Sequence, residues 1–148
     1  MPRAPSPQAA AEYEELNAFL RFYLAVCKGA DISVFEKTAA EIEEKYGRAK
    51  ALIGLRQAVN DTIEELAGAN SEAVELLDTS LAERGLVSFS ELRRRYSAKY
   101  KALLKRGHIR NDTEFYLVSG VASDLSAKVS EEERGQLQRM VEAYERDA

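Results

Sequence analysis

The sequence predicts an all-α protein, a compact single-domain bundle of about six to seven helices. Three observations predict it. No proline occurs from Gln8 to Ala148, so nothing in that span removes a helical N–H. Apolar residues recur three and four apart in each long segment. No segment alternates apolar and polar residues with the period of a half-buried strand. With 148 residues, 45% of them hydrophobic, the chain can bury a substantial core.

All three prolines lie within Met1 to Pro7, and this stretch is expected to be a disordered leader ahead of a helical bundle domain from residue 8 to residue 148. A first helix is expected from Gln8 to Lys28, with Gly29 as its stop. Leu16, Leu20, Tyr23, Leu24 and Cys27 form one apolar stripe, and Phe19, Phe22 and Val26 a second beside it. Cys27 on that face reads as an inert core thiol. Ser33-Val-Phe-Glu36 has the form of a capping box and opens a second helix to about Tyr46, closed by Gly47. A third helix, from about Arg48 to Ala67, carries the seam Leu52, Leu55, Val59, Ile63 and Leu66.

Ser71 is the expected cap of a fourth helix to Arg84, with Val74, Leu77 and Leu81 inward. Ser88-Phe-Ser-Glu91 is another capping box. It opens a helix expected to run unbroken to Gly107, with Phe89, Leu92, Tyr96, Tyr100 and Leu103 on its hidden side. Asn111-Asp-Thr-Glu114 opens the next, with Phe115, Val118, Val121, Ala122 and Leu125 as its stripe and Gly120 as a close-packing point. Ser130-Glu-Glu-Glu133 opens the last, carried by Leu137, Val141 and Tyr144.

Composition excludes several function classes. One cysteine makes no internal disulfide and favours a reducing, cytoplasmic setting. One histidine and no CxxC exclude the common zinc frameworks. The ExxE pairs (Glu12/Glu15, Glu41/Glu44, Glu72/Glu75, Glu142/Glu145) lack the Glu-x-x-His motifs of a bundle di-metal site and read as solvated surface. No phosphate-binding glycine loop and no GxSxG occurs. The apolar run from Phe19 to Val26 is too short to span a bilayer, so no membrane association is expected. No cofactor, metal or catalytic residue is assigned, and the balance falls against an enzyme.

One stretch stands above this background. From Leu92 to Asn111 the chain holds 8 of its 21 Lys+Arg and no acid, while the remainder sets 13 Lys+Arg against 25 Asp+Glu, a net of −12. The helical wheel puts a cationic flank opposite the aromatic seam. Its candidate partner-binding or anion-binding residues are Arg94, Arg95, Lys99, Lys101, Lys105, Arg106, His108 and Arg110. The plain structural reading is that Lys105 and Arg106 offset the helix dipole and that acids of the same chain pair with the rest. The preferred functional reading is a non-enzymatic regulatory, adaptor or inhibitor-like module that docks another protein by charge complementarity. Nucleic-acid binding through the same strip is the alternative, although phosphate contacts alone read no sequence. A small-ligand or catalytic pocket near His108, the sole imidazole, is a further one. Self-association, basic strip against the acidic face of a second copy, is compatible with the same charges.

Overall fold

The computed structural model describes residues 6–147. In chain order the elements are α1 (Pro7–Phe22), a π-helical segment (Tyr23–Cys27), α2 (Ile32–Tyr46), α3 (Arg48–Glu65), α4 (Ser71–Glu83), α5 (Phe89–Tyr96), α6 (Ala98–Arg106), α7 (Asp112–Ser123) and α8 (Glu131–Asp147). The fold is all-α, and the described residues contain no strand. There are eight α-helices among them, beyond the six to seven expected, because the basic segment forms two helices and not one. No described helix is long and apolar enough to cross a membrane. Of the expected leader, residues 1–5 lie outside the described residues. Ser6 is the N-cap of α1, its hydroxyl accepting from Ala9 N–H at 3.1 Å, and Pro7 takes the first helical position, where a missing N–H costs nothing. The chain forms two compact units, Met1–Asp61 and Thr62–Ala148, and the division falls within α3.

In the first unit Leu16, Phe19, Leu20, Tyr23, Leu52, Leu55 and Val59 are buried, all on stripes that the periodicity picks out. Ion pairs link its helices: Arg48 to Glu14 at 2.7 Å, Arg56 to Glu12 at 2.5 Å and Arg21 to Glu36 at 2.7 Å. Each is partly exposed, so each contributes little. Two expectations fail here. Cys27 is exposed, not core. The cause is the π-helical turn, marked by Lys28 N–H donating to Tyr23 O at 3.1 Å: an i→i+5 turn advances each residue less around the axis and carries Val26 and Cys27 off the buried stripe. The cap of α2 is Asp31, accepting from Ser33 N–H at 3.0 Å, so the helix starts one residue before the Ser33 box.

In the second unit α7 packs against α4, α5, α6 and α8. It can do so because it is apolar on several sides. Val118 and Val121 are fully buried, in a cluster with Tyr100, Leu103, Ile109, Leu137 and Met140. Phe115 stacks on Tyr144 with ring centroids 5.2 Å apart. Gly120 is the point of closest approach: a Cβ there would lie 3.3 Å from Ser90 Oγ and 3.4 Å from Val74 Cγ1. Asn70 caps α4, accepting from Ala73 N–H at 2.9 Å, with the expected cap Ser71 as its first residue. Ser88, Asn111 and Ser130 cap α5, α7 and α8 as the sequence indicates. Leu125 is not part of the α7 stripe. The helix ends at Ser123, Asp124 turns the chain, and Leu125 is 92% exposed.

Candidate functional site

The basic stretch begins on α5 and breaks at Ser97. There the backbone leaves the helix (φ −76°, ψ 115°), and the serine serves two helices at once. Its N–H donates to Arg93 O at 2.9 Å and ends α5, while its hydroxyl accepts from Tyr100 N–H at 3.1 Å and starts α6. A short side chain that bonds the backbone locally makes such a break stable. The unbroken cylinder expected from Phe89 to Arg106 is therefore two short helices.

The break separates two kinds of cation. On α5 the arginines turn inward. Glu91 is 2% exposed and accepts from Arg94 Nε at 2.7 Å, Arg94 Nη2 at 2.8 Å, Arg95 Nε at 2.7 Å and the backbone N–H of Lys128 at 2.9 Å. Burial alone would raise its pKa. The arginine and backbone hydrogen bonds overcome this and hold Glu91 at about 2. Arg93 is 3% exposed, with its guanidinium 4.4 Å from the centroid of the Phe89 ring. Its Nε and Nη2 are buried without a hydrogen-bond partner. Burial pulls its pKa down to about 10 against the opposing charge of Asp78.

On α6 and the following turn the cations point to water. Lys99, Lys101, Lys105 and Arg110 are exposed, and among the described residues no ion pair engages their side chains. Tyr100 and Leu103 hold the opposite side of α6 in the core, and burial followed by the charge of Glu133 pushes the Tyr100 phenol up. Arg106 is an exception. It pairs with Glu114 and donates to His108 O at 2.8 Å, which ties the α6–α7 corner together around Gly107 (φ 87°). Glu114 also accepts from Arg110 N–H at 2.7 Å, and against burial these bonds hold it below the ordinary carboxylate range.

His108 is exposed and lines an open cleft of about 390 Å³ with Gln136, Arg139, Met140 and Tyr144. Asp112, its nearest acid in sequence, accepts from Tyr144 Oη at 2.5 Å. Of the eight sequence-selected residues, then, Lys99, Lys101, Lys105, His108 and Arg110 share the exposed surface of α6 and its turn, while Arg94, Arg95 and Arg106 are bound to carboxylates of the same chain. The sequence places Glu91 only as the acid of the Ser88 capping box and misses its carboxylate as the partner of Arg94 and Arg95. Its spacing, three and four before Arg94 and Arg95, is the signal that marks it. No protein-family model, curated protein or solved structure matches the chain.

Proposed function

We propose that the chain is a non-enzymatic module that binds an acidic helical segment of another protein on the outward face of α6. The observation that supports this reading best is the makeup of that face. Ala98, Lys101, Ala102 and Lys105 are all exposed and stand at helical spacing on one side. The alanines let a partner helix approach closely, and the two lysines, one turn apart, suit carboxylates spaced four residues apart on the partner. Lys99 and Arg110 extend the positive field that steers encounter. A cytosolic setting and a regulatory, adaptor or inhibitor-like role fit this chemistry. Nucleic acid is disfavoured because Tyr100, the aromatic among these cations, is 1% exposed and offers no stacking surface.

An amide-resolved NMR titration with a monomeric peptide helix bearing glutamates four apart tests the reading. Shifts should concentrate on Ala98 to Arg110 and weaken with added salt. Shifts spread over both units, or none, would refute it. Tighter binding of a mixed-sequence RNA or DNA duplex would transfer the same surface to nucleic acid.

A further inference from the structure

In the second unit α4 has an outward face of its own. Val74 and Leu81 are buried and Leu77 is half-buried, so the helix is seated without Leu76, which is 70% exposed. Glu72, Leu76, Thr79 and Glu83 stand at helical spacing along one exposed stripe, and Glu75 flanks it. Among the described residues no ion pair engages Glu72, Glu75 or Glu83. A single exposed leucine is ordinary on a protein surface. What sets Leu76 apart is that a second exposed face of the same unit fits it.

That face is on α6. The charges of the two helices are complementary: α4 holds four acids and no base, and α6 holds three lysines, one arginine and no acid. Their shapes agree as well. Ala98, Lys101, Ala102 and Lys105 stand at i, i+3, i+4 and i+7, the four corners of the hollow into which a facing helix sets one side chain. Two of those corners are methyl groups, which leaves the hollow open to a leucine. The two lysines stand at its rim one turn apart, as Glu72 and Glu75 do on α4. Both faces are exposed in the one chain, so neither covers the other.

We propose that the Leu76 face of α4 docks on the α6 face of a second copy, so that the chain associates with itself head to tail. This rests on the reading of α6 as a face for acidic helices and names one such helix. The two faces differ, so every contact leaves a free α4 at one end and a free α6 at the other. One helix against one helix is a small interface, and the association is weak and reversible. An acidic partner for α6 competes with the second copy.

Sedimentation velocity of the 148-residue chain over a concentration series is the test. The mean sedimentation coefficient should rise with concentration, and rise less in added salt. Leu76→Ala, at an exposed helical position that keeps the fold, should weaken association at least about tenfold, since burying a leucine side chain accounts for a change of that size. Lys101→Glu with Lys105→Glu should give a monomer, and so should Glu72→Lys with Glu75→Lys. Mixed together, these two variants should form a pair and nothing longer, because the intact α4 of the first meets the intact α6 of the second. Association unchanged by Leu76→Ala, or reversed variants that do not pair on mixing, would overturn the proposal. The leucine variant stays decisive should a charge reversal fail to fold. A chain that binds the glutamate peptide on Ala98 to Arg110 yet stays monomeric at every concentration would overturn this inference alone and leave the α6 reading standing. A lysine-rich peptide helix bound to the Leu76 face of such a monomer would give that face to another protein, against the proposal.

Discussion

Glu91 shows how one residue sets the character of a whole segment. Its carboxylate is buried, yet two arginines and a backbone N–H satisfy it, and removing its charge would leave those arginines facing a neutral group. A folded-state pKa of about 2, depressed below the ordinary carboxylate value, means stability that is full above that ordinary value and lost as pH falls through about 2. Urea unfolding as a function of pH should therefore show Glu91→Gln less stable than the parent by about 3 kcal/mol at neutral pH, since each tenfold change in proton affinity on folding corresponds to about 1.4 kcal/mol. The gap should close as pH falls from about 4.5 toward 2. A difference independent of pH would mean that the loss is one of packing and not of charge. The same residue marks a limit of sequence reading. A window drawn from Leu92 to Asn111 contains no acid because it opens one position after Glu91. Charge counts along a chain miss a pair that the helix forms backward by a turn.

Capping chemistry and apolar spacing made most helices legible, since both are local and written in neighbouring residues. What escaped is what local rules leave balanced. Ser97 sits in a run that is helical on both sides, and nothing nearby says whether its hydroxyl will cap a new helix or point to water. The π-helical turn at Tyr23–Cys27 left no sign in the apolar pattern and moved Cys27 into solvent. Ser97→Ala removes the cap of α6 and should lower stability by about 1 kcal/mol in urea unfolding; no change would mean that the break does not depend on the hydroxyl. Gly120→Ala should cost about 1–3 kcal/mol, because the new methyl meets a Ser90 hydroxyl held in place by Asp78. Gly54→Ala, inside α3 with nothing within 4 Å of the new carbon, should instead gain about 0.5–1 kcal/mol. Equal effects at the two glycines would contradict the packing described for α7.

Over the whole molecule the charges sort by role. The chain carries a net −4, and its largest positive excess lies between Leu92 and Asn111. Within that stretch Arg93, Arg94, Arg95 and Arg106 serve the fold, while the three lysines and Arg110 face water, a division the composition cannot express because it counts all of them alike. Arginine suits the inward position because its planar fork binds Glu91 at two nitrogens, whereas a lysine is a hydrated point charge that keeps its solvent. The most direct measurement pairs two double variants and reads both melting temperature and affinity for the acidic helical peptide. Lys101→Glu with Lys105→Glu should weaken the peptide at least about tenfold with the melting temperature unchanged. Arg94→Gln with Arg95→Gln should lower the melting temperature by several degrees, while the protein that remains folded binds the peptide as before. If the arginine pair abolishes binding and the lysine reversal leaves it intact, the assignment of inward and outward cations is wrong.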